Sequence, residues 1–183
     1  MHSRSLLGAL ILTAAVLGCN STVGEGTKAA SSPQPLPGGS GTEVQLNGPH
    51  VKTLQLSRGE EGLSLQVQAG GMSGVRQFEF TVALEPAGAF DLNSASFSTA
   101  SPFITVGSGV EITPEKNLRA IGIYLDAAGF AGDGVLGTLT VKASATPATT
   151  PRARIMRFSA GPSSKERDTY TEQQLNLSLN LGP

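Results

Sequence analysis

Few side chains in this sequence have the type and spacing that chemistry requires, and Cys19, its only cysteine, is the first of them. A lone cysteine forms no internal disulfide, which leaves four roles: a buried thiol, a nucleophile, a metal ligand or a covalent anchor. The chain has two histidines, and His2 lies in an N-terminal segment that we expect to be removed, so His50 alone remains and cannot form a histidine-based metal site or a two-histidine relay. No G-x-S-x-G or S-x-x-K motif supplies an activated serine. These residue types disfavour an enzyme.

Residues 132–137 match the dinucleotide-binding pattern G-x-G-x-x-G. Such a site needs the loop to open a helix, because the helix N-terminus faces the pyrophosphate. Here the strand-like segment LGTLTVKAS follows, so we expect the glycines to serve a turn instead.

Two groups of carboxylates remain as candidates. Glu60 and Glu61 lie in a predicted turn, where solvated charges are usual. Asp126 and Asp133 flank the segment AAGFAG and could approach each other or a calcium ion, but no D-x-D-x-D-G loop supplies the further oxygen ligands that calcium needs. Glycoside hydrolysis by two carboxylates stays open at this point. The aromatic platforms usual for sugars are missing, since the chain has no tryptophan and two tyrosines. We predict no metal and no cofactor.

The N-terminus has the pattern of a secretory signal. Met1 to Ser5 carries one positive charge, and an uncharged apolar run follows from Leu6 to Leu17. As a helix this run rises about 18 Å, which is short of a bilayer core of roughly 30 Å. A permanent membrane span is therefore not expected.

The residues VLGC that end this segment resemble the lipobox of bacterial lipoproteins, in which the cysteine becomes the diacylated first residue of the mature protein. The resemblance implies a signal peptide over residues 1–18 and a lipid on Cys19. Residues 19–42 are rich in Gly, Ser, Thr and Pro, which predicts a flexible tether. The protein would then lie in the bacterial cell envelope, on the extracytoplasmic side, and in the outer membrane if the source is Gram-negative.

Period-2 alternation of apolar and polar residues dominates residues 43–183, the predicted folded domain. Short strands separated by turn residues, with no crossover helices, predict an all-β fold, an antiparallel β-sandwich. The basic and acidic residues number 13 and 14, which argues against a nucleic-acid partner. The alternation places five sets of side chains on the core: Leu63, Leu65 and Val67; Phe78, Phe80, Val82 and Leu84; Ile121, Ile123 and Leu125; Leu139, Val141 and Ala143; and Leu175, Leu177, Leu179 and Leu181.

Two stretches resemble the cohesin family, which is related to the jelly rolls of carbohydrate-binding modules. Residues 63–98 match its front half and residues 120–143 its second half, while Leu84 and Glu85 replace the family's Tyr–Asp pair. The resemblance implies a nine-stranded jelly roll that binds a dockerin domain through one sheet face. The matching residues are Gly74, Val75, Phe78, Phe80, Val82 and Pro86, then Asp133, Gly134, Leu136, Leu139, Val141 and Lys142.

The sequence therefore predicts a non-catalytic, membrane-anchored lipoprotein with a cohesin-like module for protein binding or adhesion. Its partner would be another extracytoplasmic protein, dockerin-like or a surface component, and no nucleic acid. The candidate contact residues are those expected to point outward from two strands of one sheet: Gln77, Glu79, Thr81 and Tyr124. The alternative is a carbohydrate-binding module associated with polysaccharide utilisation, which would bind polysaccharide.

Overall fold

The computed structural model describes residues 41–59, 63–144 and 149–182. The predicted signal peptide, Cys19, most of the predicted tether and the pair Glu60 and Glu61 lie outside these residues. The described residues form eleven strands and one short helix: β1 (Thr42–Gln45), β2 (Thr53–Arg58), β3 (Leu63–Val75), β4 (Gln77–Glu85), β5 (Phe90–Thr99), β6 (Ile104–Ile112), β7 (Leu118–Ile123), β8 (Phe130–Ala143), β9 (Arg152–Gly161), β10 (Asp168–Thr171), α1 (Glu172–Leu175) and β11 (Ser178–Asn180).

The strands pair into two antiparallel sheets. The first sheet has the order β1-β2-β3-β8-β5, and the second has the order β10-β9-β4-β7-β6, with β11 also paired to β9. The prediction of an all-β antiparallel sandwich is confirmed. The strand count exceeds the nine expected from the resemblance, and the shortest strands, β1, β10 and β11, lie at the sheet margins.

A cluster of phenylalanines joins the two sheets. Phe80 of β4 packs edge-on against Phe97 of β5, with ring centroids 5.3 Å apart. Phe78 contacts Phe97 at 6.2 Å and Phe103 at 5.2 Å in the same edge-on geometry. Burial of these rings removes a large apolar area from water and fixes their orientation, because edge-to-face contacts are favoured over a face-to-face sandwich.

Gly122 of β7 makes room for this cluster. It lies directly opposite Phe78 in the β4–β7 ladder, and a Cβ at Gly122 would come within 2.3 Å of the Phe78 ring. The ring therefore occupies the space that a side chain at position 122 would need. Since side chains alternate along a strand, this contact fixes Leu118, Ala120 and Gly122 on the core side of β7.

The predicted core side of β7 is consequently wrong. Ile121 and Ile123 are half-buried on the opposite, outward side, and Leu125 is 70% exposed. Tyr124, which was expected to point outward, packs against the core instead, with its ring centroid 5.9 Å from that of Phe103 and 6.0 Å from that of Phe130. Both rows of β7 contain apolar residues, so alternation alone did not separate them.

The C-terminal leucines were placed correctly, although the backbone differs from the prediction. Leu175, Leu177, Leu179 and Leu181 are all buried, as their spacing indicated. The chain forms the one-turn helix α1 before β11, and the amide of Thr171 donates to Gln174 Oε1 at its start. Asn176 ends the helix with φ 42°, a left-handed conformation that Asn tolerates.

A buried carboxylate connects the β1–β2 loop to β10. Asp168 is 8% exposed, and its Oδ2 accepts hydrogen bonds from the amides of His50 (2.8 Å) and Val51 (3.0 Å). The ring nitrogen Nδ1 of His50 lies 3.1 Å from the carbonyl oxygen of Ser73. His50 therefore connects its loop to β10 through its backbone amide and to β3 through its ring. In the part of the chain that the structure describes, no helix is long and apolar enough to cross a membrane.

The contact between Gly122 and Phe78 predicts a specific loss of stability. Gly122→Ala should lower the free energy of unfolding by about 1–3 kcal/mol, because the added methyl group displaces the Phe78 ring in a packed core. Gly134→Ala is the matched control, since a Cβ there meets its nearest atom, of Phe130, at an ordinary 3.4 Å. Urea unfolding of both variants measures the difference, and equal effects would contradict the packing described.

Candidate functional site

The outward side of the second sheet brings together three of the four predicted contact residues. Gln77, Glu79 and Thr81 alternate along β4 and lie opposite Ile123, Ile121 and Arg119 of β7. Tyr124 is not among them, because it packs on the core. We call this surface the β4–β7 face, and define it by Gln77, Glu79, Thr81, Arg119, Ile121 and Ile123 together with Ile104 and Glu111 of the neighbouring strand β6.

A network of ion pairs lies in the middle of the β4–β7 face. Arg119 Nη2 is 2.9 Å from Glu79 Oε2, and Arg119 Nη1 is 3.4 Å from Glu111 Oε2. Arg167, from the β9–β10 loop, approaches the same Glu79 oxygen at 3.5 Å. Glu79 is the best-shielded member, with only 13% of its side chain exposed, whereas Glu111 is 65% exposed.

The pKa of Glu79 reflects these neighbours. Burial raises the pKa of the carboxyl, but the hydrogen bond and the positive charge of Arg119 oppose this. The charges of Arg167 and Arg157 act in the same direction as Arg119, so the pKa of Glu79 lies below its ordinary value. Glu79 is therefore a fixed anion at neutral pH, unlike a general acid or base poised near pH 7.

Apolar side chains lie beside this network, and they were missed by sequence reasoning. Ile104 is 43% exposed and pairs across the ladder with Ile123, while Ile121 pairs with Glu79. Leu125, two residues beyond Ile123, is the most exposed large apolar side chain in the described residues. Arg119 could have indicated that these isoleucines face outward. It lies on the same side of β7 as Ile121 and Ile123, and a charged side chain usually lies on the solvent side of a strand.

A small pocket opens between Gln77, Ile121 and Arg167 and has a volume of about 30 Å³. Gln77 Nε2 borders it, is itself buried, and has no hydrogen-bond partner among the described residues. The volume is sufficient for one water molecule, which would satisfy this donor.

A wider, open cleft of about 620 Å³ lies where β5 and the end of β8 meet the β6–β7 turn. Phe90, Leu92 and Ile112 supply its apolar part. Its ionisable side chains, Asp91 and the lysines at 116 and 142, are all exposed. Strongly shielded titratable groups, which mark many active sites, are therefore not found in this cleft.

Asp126 and Asp133, the other carboxylates considered from the sequence, accept hydrogen bonds from backbone amides. Asp126 Oδ1 accepts the amide of Ala128 at 2.9 Å, and Asp133 Oδ1 accepts the amide of Gly71 at 2.7 Å. No group of three or more potential metal-ligating side chains occurs within residues 41–59, 63–144 and 149–182. Residues 132–137 lie inside β8 rather than in the expected turn, and this strand has an irregular register opposite β3.

The shielded Glu79–Arg119 pair predicts a pH-dependent contribution to stability. Glu79→Gln should lower the free energy of unfolding at pH 7 by about 1–2 kcal/mol, since it removes a charged hydrogen bond. The wild-type advantage is present above the unfolded-state pKa near about 4.3 and is lost as the pH falls through the lower folded-state value. The measurement is urea unfolding of both proteins at pH 7 and in acid.

Glu111→Gln provides the matched control, because it removes the exposed partner of the same arginine. Its effect at pH 7 should stay below about 0.5 kcal/mol. Equal losses for the two variants, or a loss at Glu79 that persists unchanged in acid, would contradict the electrostatic account of the face.

Two solved cohesin structures have low similarity to this chain. No family model matches the chain, and neither does any curated protein. One similar solved structure is the sixth cohesin of Acetivibrio cellulolyticus scaffoldin B, in complex with a mutant Cel5 dockerin. The two sequences are 18% identical, the match covers 68% of this chain and 85% of that chain, and the TM-score is 0.35. The third cohesin ScaC of the same organism, in complex with the ScaB dockerin, has 14% identity over 62% and 78%, at a TM-score of 0.32.

Proposed function

We propose that this protein is a non-catalytic binding module, held at the extracytoplasmic side of a bacterial envelope by a lipid on Cys19, and that its β4–β7 face binds another protein. One observation supports the binding role above others: Ile104, Ile121 and Ile123 are left accessible directly beside the ion pair of Glu79 and Arg119. Protein–protein interfaces combine apolar with polar side chains and are enriched in Arg, so isoleucines next to a fixed arginine fit such an interface.

The rigidity of the face favours such a role. The side chains project from the paired strands β4, β7 and β6, and Arg119 is held by two carboxylates at once. A partner would therefore meet groups whose positions are already fixed, which reduces the conformational entropy lost on binding. The accessible parts of the three isoleucines would contribute affinity, while the charges would select the orientation of the partner.

The class of partner comes from the sequence resemblance of residues 63–98 and 120–143. That resemblance favours a dockerin-like domain or another extracytoplasmic surface protein. The ion pairs of the face include both signs of charge, so partner recognition would depend on the pattern of charge rather than on its sum.

Site-specific photocrosslinking in the cells that make the protein tests this binding role. A photoreactive amino acid in place of Ile121 should give a discrete adduct with a second protein, which mass spectrometry then identifies. The same amino acid in place of Asn93, an exposed residue of β5 in the other sheet, is the control and should give no such adduct. Equal adducts from both positions, or none from Ile121, would refute the proposed face.

The anchor proposal is independent of the face and has its own test. Radiolabelled palmitate should enter the wild-type protein and not Cys19→Ser, because the lipid has lost its attachment atom. A diacyl anchor supplies the two chains that stable membrane attachment requires, so wild type should also resist an alkaline wash of the membranes. Ser21→Ala is the matched control and should label like wild type. Palmitate in the Cys19→Ser protein, or its absence from wild type, would disprove the anchor.

A further inference from the structure

The outward side of the first sheet differs in chemistry from the β4–β7 face. Hydroxyl and amide side chains prevail among the residues that alternate outward on its four main strands β2, β3, β8 and β5, although Val135 and Asp133 of β8 also lie on this side. We call this surface the amide–hydroxyl face, and it consists of Thr53, Gln55, Ser57, Gln66, Gln68, Thr138, Thr140, Ser96 and Ser98.

The strand register arranges these side chains in rows across the sheet. One row crosses four strands, because Ser57 pairs with Gln66, Gln66 with Thr138, and Thr138 with Ser98. A second, shorter row contains Thr140 and Ser96, whereas Ser64, the partner of Thr140 on β3, is buried. Neighbouring strands lie about 4.8 Å apart, so each row offers a polar group at that interval.

No ionisable side chain interrupts these rows. The charged residues that flank them are Glu43 on the edge strand β1, the opposed pair Asp91 and Lys142 beyond Thr140, and Asp133 of β8, whose carboxylate lies near Thr53. Arg58, at the end of β2, donates instead to the carbonyl oxygen of Leu181 near the C-terminus. The absence of charge within the rows distinguishes them from the β4–β7 face, where Glu79, Arg119 and Glu111 are central.

Most of the hydrogen-bonding capacity of the rows is unused by the protein. Gln66 Oε1 accepts from Gln68 Nε2 at 2.9 Å and lies 3.4 Å from Ser57 Oγ. The side chains of Thr138, Thr140, Ser96, Ser98 and Gln55 form no hydrogen bond with any other described residue. Each hydroxyl both donates and accepts, and each amide does the same with separate atoms, so the rows fit a ligand that also carries both functions.

We propose that the amide–hydroxyl face binds a neutral polysaccharide with an extended, β-linked chain. Such a chain is uncharged and carries hydroxyl groups along its whole length, which complements an uncharged surface of donors and acceptors. A charged polymer would find no counter-charge on these rows, and an apolar ligand would leave their polar groups without partners. An extended chain can follow a row across four strands, whereas a coiled chain touches a row only where it turns.

This face has no exposed aromatic side chain for stacking on a sugar ring, so every contact is a hydrogen bond that competes with water. The net contribution of each is small, and binding depends on several rows acting together. Affinity should therefore be highest for an insoluble polymer that presents many parallel chains. It should also change little with salt, because no charge takes part.

Depletion assays with the full-length protein in mild detergent test the proposal. Insoluble cellulose and chitin are the neutral probes, and alginate beads are the anionic probe. Wild type should bind the neutral polymers at low and at high salt, and Gln66→Ala/Thr138→Ala should bind them roughly tenfold more weakly. The control Gln173→Ala/Thr149→Ala removes the same side-chain types from exposed positions elsewhere and should bind like wild type.

Several outcomes would overturn the proposal. They are no retention by either neutral polymer, preference for alginate, loss of binding in high salt, or equal binding by both double variants. Self-association of wild type that disappears in Gln66→Ala/Thr138→Ala would instead identify the face as a contact between copies of the chain. Matching urea-unfolding midpoints for the two double variants exclude misfolding as the cause of a difference.

Discussion

The contact between Phe78 and Gly122 is the constraint on which the rest of the second sheet depends. The ring fills the volume of a missing side chain, so β4 and β7 have only one register and one orientation that keep both strands packed. Phe78 then joins Phe97 and Phe103 across the sandwich. Because side chains alternate along β4 and β7, this contact also determines which of their residues face outward.

The consequence is a molecule with two chemically different outer surfaces. On the second sheet, the alternation that buries Phe78 and Phe80 turns Glu79 outward, into reach of Arg119 and Arg167. On the first sheet, the same alternation buries Leu65 and Val67 and turns the uncharged Gln66 and Gln68 outward. One side of the sandwich thus offers isoleucines and fixed charges, and the other offers rows of uncharged hydroxyl and amide groups.

The sequence was sufficient for the fold class because most strands alternate apolar and polar residues without ambiguity, as β4 does from Gln77 to Val82. The prediction of the buried side failed at β7, because either Ile121 or Gly122 could face the core. The ring of Phe78, more than forty positions earlier in the chain, packs over Gly122 and so turns Ile121 outward. For the same reason, three of four predicted contact residues share one face while Tyr124 does not. The hydrogen bonds that Asp168 accepts from His50 and Val51 span over a hundred positions and leave no local pattern.

The central claim is that the β4–β7 face is exposed in the isolated protein and covered by a partner protein in the envelope. The most direct measurement is the rate at which a water-soluble thiol reagent labels a cysteine placed at Ile121, compared with one placed at the exposed Gln173 of α1. Our account predicts that both cysteines label readily in the purified protein, and that in intact envelopes only the one at Ile121 becomes slow. Equal rates for Ile121 in the two settings would contradict it.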